Sequence, residues 1–333
     1  MKKVLKYLAF LLLAAVLLYF SFKGVKWSDF LSGLQSCNWW WIAASMAIGI
    51  LGFLFRALRW RILLRAINNK VTLRETFDGV NIGYLTNFIF PRAGEVARCG
   101  VIAKTRKVSF EKSLGTVVLE RSLDMICLLL WMFLLLLFTW GEFGEFVKNE
   151  IVLPLQEKFN SLLLPFVILC SCMVAAGVAL WLFRKKLLQN KFVGKILGIA
   201  KGLLEGVYAA FKMEEKWMFL LYTLLIWLTY WLTSLTTIYA FPQMAALGGT
   251  DALFLMIIGG FGWVVPVQGG LGAYHFIVSL ALAKVYGIPQ AAGVVFATIS
   301  HEAQALVMIL CGIASVISIS LWKKQIKEYD SKI

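Results

Sequence analysis

Apolar runs long enough to cross a bilayer alternate along this chain with short polar segments that carry most of its charge. A hydrocarbon core about 30 Å thick takes roughly 20 helical residues. Val4–Phe22 meets that length, follows Lys2 and Lys3 with Lys6 in its first turn, and shows no small-x-small cleavage site before Lys23, so it reads as an uncleaved first span. After a short loop, Trp39, Trp40 and Trp41 form an aromatic belt. The second span reaches about Leu64, and its inner end carries Arg56, Arg59, Arg61 and Arg65. Leu114–Trp140, Leu162–Phe183, Trp217–Phe241 and Ala291–Trp322 are further spans.

Two segments do not fit a simple crossing. Thr76–Phe90 is short, contains Asp78, Asn81 and Asn87, and has basic clusters on both flanks. A re-entrant hairpin over 76–104, entering and returning on the cytoplasmic side, satisfies both flanks. Asp251–Val265 and Leu271–Tyr286 are also short and meet at a Gly-rich break, which predicts a second, opposed hairpin over 251–286. The segment 141–160, with four Glu against two Lys, reads as an outer loop. Residues 184–216 hold eight Lys or Arg against three Glu and read as cytoplasmic. Within them Phe192, Ile196, Ile199, Leu203, Val207 and Ala210 recur at helical spacing, as in an interfacial amphipathic helix. The expected fold is a single all-α polytopic membrane domain, with about six full transmembrane helices plus two opposed re-entrant hairpins. The Lys and Arg distribution places both termini in the cytoplasm and the protein in the cytoplasmic membrane.

Composition agrees with this pattern. Apolar residues make up 60% of the 333, charged residues only 15%, against about a quarter charged in soluble domains. Soluble and disordered classes are excluded. The net charge of +15 is distributed as positive-inside topology, with no aromatic-interleaved basic patch, so nucleic acid is not an expected partner. None of the six cysteines has C-x-x-C spacing, and neither histidine has metal-ligand spacing to a cysteine or to the other histidine. No metal or other cofactor is expected.

Charge at membrane depth is costly and marks candidate sites. Pro91-Arg92-Ala93-Gly94-Glu95-Val96-Ala97-Arg98 sets three charges at a backbone break, with Glu95 and Arg98 spaced to pair. Irregular backbone at that depth lines a wet cavity or is buried in protein; an interfacial loop with solvated charges is the alternative. Glu120, Arg121 and Asp124 share one face near the start of their span. They serve either as a salt bridge joining helices or as part of a site in which Arg92, Arg98 and Arg121 face an anionic headgroup. In the second break, Pro266, Gly269, Gly270 and Gly272 interrupt any helix. The helix starting near Leu271 then offers free amides to an anion, unless the glycines serve close helix packing. His275, His301 and Glu302 all lie within reach of the midplane, as structural groups or as a proton relay.

Taken together, Arg92-x-Gly94-Glu95-x-x-Arg98, Glu120-Arg121-x-x-Asp124 and Pro266-x-x-Gly269-Gly270-Leu271-Gly272 give the chain a family likeness. Over roughly residues 5–320 it resembles the lysylphosphatidylglycerol synthase transmembrane, flippase-like family, which includes the membrane half of the multiple peptide resistance factor. The resemblance implies a non-enzymatic flippase for a phospholipid or a polyprenyl-linked lipid. A membrane-embedded transferase, or an accessory subunit acting on a lipid-linked substrate, is the alternative. No nucleophile–base pair and no acidic metal motif favours catalysis. Implied partners are membrane lipids of phospholipid or polyprenyl-phosphate type, a second copy of the chain, and a separate lipid-modifying enzyme. The aminoacyl-transferase domain of the resistance factor is not expected here. Two departures bear on substrate charge. Where the family often has a Glu after the glycines this chain has His275, and where it often has an Arg in the last helix this chain has His301-Glu302.

Overall fold

A computed structural model describes residues 2–157 and 191–330, and among these residues there is no strand. Helix α1 (Lys2–Phe22) is followed by α2 (Trp27–Gln35), which turns by 85°. The stretch expected as a loop before the tryptophans is therefore helical in part. Phe30 accounts for the turn, because it is buried between Phe22 and a stacked Trp27. Next come α3 (Trp39–Arg65), α4 (Leu73–Ile89) and α5 (Gly94–Lys104). Asn38 starts α3 by accepting from the Trp40 amide, and a Thr72–Glu75 capping box starts α4.

Helix α6 runs from Phe110 to Glu157, with π turns at Trp140–Gly144 and Lys148–Val152. Over 141–157 the chain is thus helical where a loop was expected. The acidic composition of that stretch hides an apolar face at helical spacing, on which Phe143, Phe146, Val147 and Ile151 are all buried. Phe143 stacks on Phe254 at 4.3 Å between ring centroids. The expected span Leu162–Phe183 lies outside the described residues, as does the start of the 184–216 segment. Helices α7 (Lys191–Phe211), α8 (Lys216–Tyr239), α9 (Gly249–Val264), α10 (Ala273–Tyr286) and α11 (Gln290–Asp330) complete the chain. In α7 the small residues make the contact with α6: a Cβ at Gly115 would overlap the Leu203 carbonyl and crowd Gly206. Ile199, Leu204, Tyr208 and Phe211 stay exposed.

Among the described residues, four helices are long and apolar enough to cross a membrane, namely α3, α6, α8 and Gln290–Leu321 of α11, or five if the bent α1–α2 pair counts as one span. The exterior agrees. Phe138 is 82% exposed and Phe133, Leu310 and Ile317 also face out, whereas Glu120 and Arg59 are 0% exposed. Apolar outside and charged inside is the arrangement a lipid solvent selects. The protein is an all-α, multi-pass membrane protein.

Among the described residues two large apolar clusters, with two smaller ones, form the interior. One gathers Trp60, Leu63, Val80, Ile102 and Val117, the other Leu128, Phe254, Ile258, Val278 and Phe296. Along α6, Glu120 and Asp124 fall between Val117 of the first and Leu128 of the second. The α4–α5 and α9–α10 pairs are helical hairpins. A Cβ at Gly94 would overlap the Gly83 carbonyl of the facing helix, and Gly262 lies against the Tyr274 backbone.

Candidate functional site

The charge layer between the two clusters is a closed ion network. Arg56 and Arg59, one turn apart on α3, both reach Glu120 and Asp124, themselves one turn apart on α6. Arg56 Nη2 donates to Glu120 Oε1 and Asp124 Oδ2, each at 2.9 Å, and its Nη1 donates to the Tyr230 hydroxyl. Arg59 Nη2 donates to Asp124 Oδ1 at 2.6 Å and Glu120 Oε1 at 3.1 Å. From α5, Arg98 brings its Nη2 to 3.0 Å from Glu120 Oε2 and lies over the Trp60 ring at 4.7 Å. Three guanidinium groups thus surround one fully buried carboxylate. Charges survive at such depth only when each has a hydrogen-bonded partner of opposite sign.

A small cleft opens beside this layer, lined in part by Tyr84, Asn87, Glu95, Arg98 and Arg121. Asn87 closes the hairpin by accepting from the Gly94 amide at 2.7 Å and donating to Glu95. The expected Glu95–Arg98 pair gives way to separate partners. Glu95 faces Arg121 at 3.5 Å, while Arg98 turns to Glu120. Arg121 also approaches Asp124 at 3.6 Å, and its side chain is 39% exposed. With Arg56, Arg59, Arg98 and Arg121 against Glu95, Glu120 and Asp124, the layer and cleft carry one surplus positive charge. The Nε atoms of Arg56, Arg59, Arg98 and Arg121 are all buried with no hydrogen-bond partner, that of Arg121 standing 3.5 Å from Glu95; of the four, Arg98 and Arg121 line the cleft.

Arg92 stands apart from Arg98 and Arg121. It sits at the hairpin tip at φ 60° and donates from its guanidinium to the Val264 carbonyl, on the other hairpin. Gly269 packs against Phe88 in the same region, so the two breaks touch. Pro266 lies exposed at the bend, while Gly269, Gly270 and Gly272 take φ of 52°, 77° and 80°. Side chains rarely adopt that region. Helix α10 starts at Ala273 rather than Leu271, and α1 closes its first turn: a Cβ at Gly272 would stand 2.6 Å from the Ala14 carbonyl. Close packing therefore accounts for Gly272. His301 Nε2 donates to the Gly269 carbonyl at 2.8 Å, and Trp263 stacks on its ring at 4.9 Å. Its Nδ1 lies 2.9 Å from Glu302 Oε1, and His275 Nε2 lies 4.0 Å from that same oxygen.

The candidate residues thus fall into two groups. Gly94, Glu95, Arg98, Glu120, Arg121 and Asp124 share the ion layer and its cleft. Arg92, Pro266, Gly269, Gly270, Gly272, His275, His301 and Glu302 share the junction of the breaks. Sequence reasoning missed Arg56 and Arg59, counting them among the basic residues at the inner end of α3. Their depth was a usable signal, since Arg56 lies about nine residues, roughly 14 Å of helix, before Arg65.

A family model described as the lysylphosphatidylglycerol synthase TM region matches residues 7–312. No curated protein and no solved structure matches.

Proposed function

Since the chain belongs to the lysylphosphatidylglycerol synthase TM region family, we propose that it moves a lipid with an anionic headgroup, a phospholipid or a polyprenyl-linked lipid, across the cytoplasmic membrane. The family supports lipid handling in the membrane; the anionic headgroup is our reading of the cleft. The observation that carries it is Arg98, 2% exposed yet with an unpartnered Nε, beside a cleft that also holds Arg121. A planar guanidinium suits a phosphate because it bonds two oxygens at once. The surplus positive charge supplies the attraction, while Glu95, Glu120 and Asp124 hold the arginines in place.

Transport rather than catalysis fits the side chains present. The carboxylates of the layer already serve two or three guanidinium groups each, which leaves no free base beside a nucleophile. Both termini are proposed to be cytoplasmic, from the Lys and Arg bias.

The test is reconstitution in liposomes with fluorescent lipids of several headgroups. The full chain is expected to translocate lipids bearing a phosphate, and Arg98→Gln to slow this at least about tenfold while elution and Tm stay close to wild type. Folded Arg98→Gln that moves lipid at the wild-type rate would end this reading. A covalently altered lipid in the wild-type vesicles would replace it with a transferase.

A further inference from the structure

We propose that His275, His301 and Glu302 form a binding site for a zinc-class divalent metal ion at the junction of the two helix breaks, with His301 Nδ1, His275 Nε2 and Glu302 Oε1 as ligands. This departs from the expectation drawn from sequence spacing, because the ligands come from two helices, the first turn of α10 and the interior of α11.

Convergence is the first support. One ligand atom from each of the three residues lies within 4.8 Å of the other two. Donors on a tetrahedral ion with bonds of about 2.0–2.2 Å stand roughly 3.3–3.6 Å apart. The observed 2.9 Å and 4.0 Å from Glu302 Oε1 straddle that value, so small side-chain shifts bring all three onto one ion.

Proton counting is the second. The Gly269 carbonyl can only accept, so His301 Nε2 carries hydrogen, and in the neutral ring Nδ1 then presents a lone pair to the carboxylate oxygen. Two lone pairs aimed at one another need a positive species between them. A proton would satisfy that pair but would leave His275 Nε2, at 4.0 Å, beyond hydrogen-bond reach. A single divalent ion takes all three.

The surroundings of His301 fit as well, whereas His275 Nδ1 is buried without a partner. A metal-bound histidine usually donates its other ring N–H to a carbonyl or carboxylate, as His301 does to Gly269. Trp263 holds that ring flat at an interplanar angle of 18°. Both histidines are buried, whereas the Glu302 side chain is 49% exposed, which leaves one side of the cluster reachable. Two imidazoles and one carboxylate select zinc or another first-row transition ion over magnesium or calcium.

The experiment uses the full chain without a histidine tag, purified in detergent, with Co(II) as a spectroscopic probe and Zn(II) as competitor. One Co(II) per chain is expected, with the visible absorption of a four-coordinate N/O site that Zn(II) abolishes. Glu302→Gln and His275→Gln should each weaken Co(II) binding about tenfold or more. Glu302→Gln is the more informative of the two, since its half-exposed position tolerates the change. A folded wild-type protein that binds no stoichiometric Co(II) or Zn(II) overturns the proposal whatever the variants do. Binding unchanged in folded Glu302→Gln and His275→Gln also overturns it. Neither readout involves lipid, so failure here and failure of the transport reading are separate results.

Discussion

The ion layer and the junction of the breaks solve the same problem by different means. Both place polar chemistry inside an apolar protein. In the layer, the long helices α3 and α6 and the short α5 supply side chains of opposite sign, and Glu120 is shared by Arg56, Arg59 and Arg98. In the junction the backbone itself does the work: glycines at positive φ turn the chain, a freed carbonyl meets His301, and Arg92 meets the carbonyl of Val264. The first region is held by charge balance, the second by steric tolerance. Substitutions that remove charge should therefore be felt in the layer, and substitutions that add atoms in the junction.

The sharpest break of this comparison is Glu120→Gln. It keeps the size of the side chain but leaves three guanidinium groups without their shared anion, and losing one partner of a buried pair costs about 3–5 kcal/mol. Thermal unfolding in detergent should show a large drop in Tm with poor expression. A Tm close to wild type would mean that the layer is solvated and the charge argument wrong.

Gly272→Ala tests the junction and should cost less. The added methyl meets the Ala14 carbonyl at 2.6 Å, on a backbone at φ 80° where a side chain costs about 1–2 kcal/mol by itself. The same change at Gly100, inside α5 where a Cβ meets nothing within 4 Å, should hold Tm or raise it slightly and serves as the control.

Arg98→Lys sharpens the comparison by keeping charge while removing the planar fork. Its Tm should fall by less than that of Glu120→Gln, because Glu120 keeps Arg56 and Arg59. Lipid translocation should still slow about tenfold, equivalent to roughly 1.4 kcal/mol in the barrier. Full activity would show that charge alone suffices at this position.

Arg121→Gln gives the smallest effect on stability. With its side chain 39% exposed and its partners at 3.5 Å and 3.6 Å, the loss should stay within about 1 kcal/mol by thermal unfolding. A larger drop would make Arg121 a structural strut rather than a wall of the cleft.

Much of the fold was legible because membrane helices announce themselves by length and apolarity. The shared face of Glu120 and Asp124 is local, within about one turn. The region after Trp140 was misread for a physical reason: four glutamates outweighed in composition the buried face of Phe143, Phe146 and Ile151, which only periodicity reveals. Arg56 and Arg59 were misread because a basic residue near a span end normally snorkels to water, whereas these two turn inward to carboxylates on another helix.

The sequence by itself determined that this protein is a multi-pass membrane protein, that two breaks interrupt its helices, and that Glu120 and Asp124 sit at depth on one helix face. Those properties follow from transfer free energies and from residues three or four apart. Only the tertiary structure decided that Arg98 leaves Glu95 for Glu120, that the two breaks touch through Arg92, Phe88 and Gly269, and that His275 and His301 share one carboxylate. Each of these depends on how closely two helices approach. That approach is set by which glycines face which backbone, as Gly94 faces Gly83 and Gly272 faces Ala14, and such pairings between distant segments leave no mark on the local pattern of a single chain.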